Sequence, residues 1–199
     1  MNIAIMMCGH IRTYKENYEN FYNAHIKPNK LAGVYFVDEK IEDNDIDPMS
    51  WEWFRRGIFS KPYHAMQIVK EYQKENNIKY DVVVRLRPDI TPLKQIAIQK
   101  PEQNTINVFG GPLSTFQPWQ SPDKYEDGIY VFDSYAHGDM ETMEKYVNIY
   151  KMYESLPTSV KKHPQNSENQ LHLHLRENNI KINYVINHRN GYGQCYGDE

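Results

Sequence analysis

The segment Val82-Val-Val-Arg-Leu-Arg-Pro-Asp89 sets two arginines and an aspartate at the end of an apolar run. Side chains alternate across an extended strand, so Val82, Val84 and Leu86 share one face and Val83, Arg85 and Arg87 share the other. Pro88 favours an extended Arg87 and removes a backbone donor, so the strand is expected to end there. If the backbone stays extended, Asp89 joins the arginine side. Guanidinium groups do not shed their charge, and burying them without anions is expensive. Two arrangements would satisfy them: an internal Arg–Asp cluster, or a phosphate-bearing ligand met by bidentate hydrogen bonds. A second segment, Gly9-His10-Ile-Arg12-Thr13, follows the apolar run Ile3–Cys8 and leads into a helical pattern. Glycine permits close backbone approach, a helix N-terminus attracts anions, and Arg12 adds a permanent positive charge. This is not the GxGxxG dinucleotide fingerprint, and no Walker GxxxxGK[ST] occurs in the chain.

Elements that would position these residues follow from periodicity. Ile3–Cys8, Gly33–Val37, Tyr80–Leu86, Gly128–Phe132 and Ile180–Ile186 read as strands, and Ile96–Phe109 as one or two more. Helical spacing runs over Arg12–Asn23, from Ser60 to Asn77, over Asp139–Tyr153 and over Glu168–Asn178, with Ser60 and Ser167 in capping positions. Trp51–Phe59 reads as a short helix, and Ser114–Asp127 as a long loop. Strands alternating with helices predict an α/β layered domain with a mostly parallel sheet. In such sheets ligands bind beyond the carboxyl ends of the strands. One domain over residues 1–187 is expected, followed by a Gly- and Tyr-rich tail, 188–199.

Composition narrows the class. The chain has 199 residues, 23 Lys+Arg and 26 Asp+Glu, a formal charge of −3. That balance argues against a general nucleic-acid binder. The longest apolar run is far shorter than the ~20 residues of a spanning helix, and it lacks the flanks of a signal peptide. With two Cys far apart and no CxxC, reduced thiols in a cytoplasmic protein are expected. His172 and His174, two apart on a predicted helix, face different ways and make a poor metal pair.

Cys8-Gly-His-Ile-Arg-Thr13 resembles the opening of a group of small bacterial and large-DNA-virus proteins of glycosyltransferase type. Tyr80-Asp-Val-Val-Val-Arg-Leu-Arg-Pro-Asp-Ile90 is similar to their second shared block. Asp127-Gly-Ile-Tyr and Asn166-Ser-Glu-Asn-Gln-Leu171 are similar to later blocks, and together these span most of the chain. The resemblance implies a GT-A-like fold, a Rossmann-like mixed sheet flanked by helices, that binds a nucleotide-sugar and transfers the sugar to a hydroxyl of a glycan or glycoconjugate. GT-A enzymes carry Asp-x-Asp after the corresponding strand. Here Arg87-Pro88-Asp89 keeps only the second carboxylate. Asp89 is then the expected ligand for Mn²⁺ or Mg²⁺, with diphosphate and water completing the shell. Alternatively, Arg85 and Arg87 neutralise the leaving diphosphate directly.

Under this reading Gly9, His10, Arg12, Asp38, Arg85, Arg87 and Asp89 bind the nucleotide-sugar, and Asp38 meets the ribose or base. Glu168, at a helix start, is the first choice of catalytic base, and Asp127 the second. Trp51, Trp53 and Trp119 are candidates for stacking, and His188-Arg189 for approaching the diphosphate. Two alternatives stand beside the transferase. One is a non-catalytic nucleotide- or glycan-binding module on a degenerate GT-A fold, which the missing first aspartate favours. The other is a sugar nucleotidyltransferase, against which the N-terminal turn lacks a Gly- and Arg/Lys-rich phosphate loop.

Overall fold

Ile3–Cys8 (β1) is buried along its whole length, as expected of a strand covered on both faces. Its residues divide between two cores: Ala4, Met6 and Cys8 on one face, Ile3, Ile5 and Met7 on the other. The computed structural model describes residues 1–9, 14–29, 33–37, 55–88, 90–92, 98–112, 129–152, 167–186 and 192–194.

Five further strands join β1 in one sheet: Gly33–Val37 (β2), Val82–Leu86 (β3), Thr105–Pro112 (β5), Ile129–Gly138 (β6) and Lys181–Ile186 (β7). The spatial order is β2-β1-β3-β6-β5-β7. The pairs β1–β2, β1–β3 and β5–β7 are parallel, whereas β6 runs antiparallel to both β3 and β5. Five strands therefore point one way, and their carboxyl ends share one edge. The chain is an α/β domain with a mostly parallel mixed sheet between helices. A separate two-stranded ladder pairs Ile90–Pro92 (β4) with Tyr192–Gln194 (β8). The tail thus returns to the residues that immediately follow Asp89.

Helices cover both faces. Tyr14–Phe21 (α1) sends Phe21 to the Ile3/Ile5/Met7 core, where Phe109 stacks on Tyr135 at 4.3 Å. The opposite core takes Ala65, Met66 and Val69 of Lys61–Glu75 (α2), Met143, Tyr146 and Val147 of Met140–Val147 (α3), Ile149 of Ile149–Met152 (α4), and Leu171 and Leu175 of Ser167–Glu177 (α5). Each such side chain contributes about 1.5–3 kcal/mol by leaving water. Among the described residues, no helix is long and apolar enough to cross a membrane.

Several expectations need correction. Ser60 does not cap α2: a π-helical turn, Arg55–Ser60, runs directly into the helix, and Ser60 holds helical angles with no side-chain cap. The helix expected from Asp139 breaks at Asn148, while Asp139 does cap its start by accepting from Thr142 N at 2.7 Å. The strand expected to stop at Phe132 continues to Gly138. It does so through a bulge: Val108 pairs with Ala136 but Gly110 with Val131, so β6 carries extra residues, Asp133 among them.

Candidate functional site

Parallel pairing brings the two charged motifs to one edge. Cys8 lies opposite Val37, and Met7 opposite Leu86, so Gly9 and Arg87 leave the sheet side by side. Gly9 has φ +154°, and a Cβ built there would stand 2.9 Å from Pro88 Cδ and 3.9 Å from Arg87 Cγ. The turn after β1 therefore closes on the turn after β3, and only glycine allows that approach.

Alternation puts Arg85 on the Ala4/Cys8 face, as predicted, and there it is 3% exposed. Its partner is Asp133 of the β6 bulge: Arg85 Nη2 lies 3.5 Å from Asp133 Oδ2, and Arg87 Nη1 lies 3.4 Å from Oδ1. The Arg87 backbone N–H also donates to Ser134 O at 3.1 Å, tying the end of β3 to the bulge. Burial alone would raise the Asp133 pKa, but the guanidinium charges of Arg85 and Arg87 outweigh it and hold the carboxyl below its usual value. The internal Arg–Asp cluster thus exists, with Asp133 as its carboxylate. Arg85 Nε and Nη1 are sealed without hydrogen-bond partners, and the space among Arg85, Asp133, Phe59, Pro62 and Tyr146 does not hold a water molecule. Arg87, whose side chain is 30% exposed, is the accessible member.

The surroundings add positive charge and little to offset it. Lys61, the first residue of α2, is 3% exposed. Lys61 and Arg85 both act on the Cys8 thiol, yet burial dominates and pushes that thiol up to about 12. Burial likewise pushes Tyr146 up to about 12, so thiol and phenol are both neutral at pH 7. Arg85 and Arg87 share Asp133, and the buried Lys61 adds its charge beside Cys8 on the same face of the sheet. Such a cluster suits an anion better than a cation. Asp133 is committed to two arginines, and no group of three or more metal-ligating side chains forms among the described residues.

Of the predicted site residues, Gly9, Arg85 and Arg87 are brought together. Glu168 is the second residue of α5. That helix ends at Glu177 and hands the chain to β7, whose first residue, Lys181, pairs with Thr105 at the amino edge of the sheet. The N-terminus of α5 therefore lies towards the carboxyl edge, and its Leu171 and Leu175 enter the core on the Arg85 face. His10, Arg12, Asp38, Asp89, Asp127, Trp51, Trp53, Trp119, His188 and Arg189 lie outside the described residues. His174 is fixed by donating Nε2–H to Lys145 O at 2.7 Å, which suits a structural role. Asp133 and Lys61 were not anticipated. Asp133 reads as a turn residue after Phe132, and its one available signal is the apolar pattern resuming at Tyr135-Ala136. Lys61 reads as an ordinary solvated lysine at a helix start.

No protein-family model matches the chain, and no curated protein is significantly similar to it in sequence. Among solved structures the fold resembles a glycosyltransferase involved in the glycosylation of the major capsid of PBCV-1. The identity is 15%, the TM-score 0.45, and the match covers 83% of this chain and 72% of the other. That likeness assigns neither donor nor acceptor.

Proposed function

We propose that this chain is a glycosyltransferase that moves a sugar from a nucleotide-sugar donor to a hydroxyl of a glycan or glycoconjugate. The observation that carries the reading is the contact between the two motif turns: Gly9 lies against Pro88 and Arg87, beside the Arg85–Asp133–Arg87 cluster. Residues far apart in sequence thereby meet at one edge, the edge at which an α/β sheet holds its ligands, and two arginines there support an anionic ligand.

In this reading Arg87, joined by Arg12, meets the diphosphate. Arg85 acts through Asp133, whose carboxylate holds Arg87 in place. Gly9 lets the backbone approach, His10 extends the same turn, and Asp38 follows β2 towards the ribose or base. The acceptor oxygen attacks the anomeric carbon as its proton passes to Glu168, with Asp127 as second choice. The bond from that carbon to the diphosphate oxygen breaks, and its electron pair leaves with the nucleoside diphosphate. Guanidinium charge near that oxygen stabilises the leaving group. A divalent cation would have Asp89 as its carboxylate, since Asp133 is already engaged by two arginines.

Thermal shift with UDP, GDP, CDP and their sugars, with and without Mn²⁺, tests this directly. A binder raises the melting temperature by mass action. A shift with one base, with slow hydrolysis of its sugar nucleotide, is expected. If millimolar nucleoside diphosphates leave the melting temperature unmoved, the reading fails. Binding without hydrolysis or transfer would leave a non-catalytic nucleotide-binding module instead. Formation of a sugar nucleotide from a triphosphate would mark a nucleotidyltransferase.

A further inference from the structure

We infer that Lys61 is a direct binding residue for the diphosphate of the donor, a role no motif announces. The inference rests on the proposed nucleotide-sugar reading and adds a residue to it. Lysine is almost never fully buried unless paired. Yet Lys61 is 3% exposed and makes no ion pair or hydrogen bond among the described residues. The buried carboxylate of this face, Asp133, is engaged by Arg85 and Arg87. The neighbouring thiol and phenol, Cys8 and Tyr146, are neutral. A buried ammonium with no carboxylate partner among the described residues is costly, and a structural role would be served as well by an apolar side chain of similar length.

Its place in the fold supplies the function. Lys61 opens α2, which packs over β1 and β2 and leads to β3 from the carboxyl edge. It acts on Cys8, the last residue of β1, next to Gly9. Unlike Arg85 Nε and Nη1, Lys61 Nζ is not among the sealed atoms. Arg85 is thus a positioning residue, whereas Lys61, beside the last residue of β1, and Arg87, just past β3, are the cations left for a ligand. Two separated cations suit a diphosphate better than a single phosphate.

The test compares wild type with Lys61→Met and Lys61→Gln, reading melting temperature without ligand and affinity for UDP, GDP, CDP, inorganic pyrophosphate and the bare nucleosides. The substitutions are expected to leave the unliganded melting temperature unchanged or raised. They should weaken the preferred nucleoside diphosphate and pyrophosphate by about tenfold or more, with nucleoside affinity unmoved. Should the wild type bind a nucleoside diphosphate and both variants match it, the Lys61 assignment is overturned and the nucleotide reading stands. Should the wild type bind neither pyrophosphate nor any nucleoside diphosphate, both fall. If Lys61→Met does not fold, Lys61→Gln carries the comparison; if both unfold while wild type binds, Lys61 is structural and the assignment is lost.

Discussion

Asp133 and Arg85, 3.5 Å apart, form an ion pair in which the carboxylate side chain is 10% exposed and the guanidinium 3%. Breaking a buried pair by removing one partner leaves a charge uncompensated, at a cost of about 3–5 kcal/mol. Asp133→Asn is therefore expected to destabilise by that order, because it strands Arg85 and releases Arg87 together. Pairing Asp133→Leu with Arg85→Met should recover most of the loss. Urea unfolding of the single and double variants measures both, and an Asp133→Asn protein as stable as wild type would dissolve the ion-pair account.

The same pair predicts acid sensitivity. The Asp133 carboxyl is held below its unfolded value by the two arginines, despite burial. Its contribution is present above the unfolded carboxylate pKa of about 3.9 and is lost as pH falls through the lower folded value. Wild type should shed this component below about pH 4, and Asp133→Asn should lack it. Stability–pH curves of the two proteins that stay parallel below pH 4 would contradict the assignment.

Gly9 makes a sharper geometric prediction. An alanine there would sit at φ +154° with its Cβ 2.9 Å from Pro88 Cδ. Strain of this kind costs about 1–3 kcal/mol. Gly9→Ala should lose that much stability, and Pro88→Ala should return part of it by removing the opposing ring carbon. A double-mutant cycle isolates the coupling, and additivity of the two changes would mean that they do not meet.

Much of the frame was legible because its signals are local. β1 and β3 are continuous apolar runs, and period-two alternation assigned Arg85 and Arg87 to a common face before any contact was known. The rest depended on non-local facts. The β6 bulge breaks alternation between Val131 and Ala136, so the strand read from sequence ends at Phe132 and leaves out Asp133, the partner of both arginines. Asn148 interrupts a helix although apolar spacing continues on both sides, through Tyr146, Val147 and Tyr150. Ser60 looks like a cap only until the π-helical turn before it is known. The strand Tyr192–Gln194 exists because β4 offers it an edge, and three residues of a Gly/Tyr tail carry no period of their own.

Two histidines set stability near neutral pH. Burial pushes the pKa of both His25 and His137 down to about 4, and His137 Nδ1 shares a 2.7 Å hydrogen bond with the Tyr135 hydroxyl. The unfolded chain binds their protons from about pH 6.5 downwards, whereas the folded protein does not until about pH 4. Stability is thus fully present above pH 6.5 and falls across that window, on the order of 1 kcal/mol per histidine for each pH unit. His25→Gln and His137→Gln should each flatten the pH 7-to-5 slope in urea titrations. An unchanged slope in both would show that these rings are not the source.

Glu168 separates binding from chemistry. It is the second residue of α5, and in the proposed reaction it takes the proton of the acceptor hydroxyl. Among the described residues, Leu171 and Leu175 carry α5 into the hydrophobic core. Glu168→Gln is close to isosteric and removes the carboxylate proposed as the base. Loss of a general base typically costs about 10²–10⁴-fold in rate, so turnover should fall by that factor while the nucleotide-induced thermal shift persists. Retained turnover would pass the base role to Asp127, tested by Asp127→Asn in the same assay. Loss of turnover and thermal shift together would place Glu168 in donor binding instead, because a proton acceptor for the acceptor hydroxyl has no part in holding the nucleoside diphosphate.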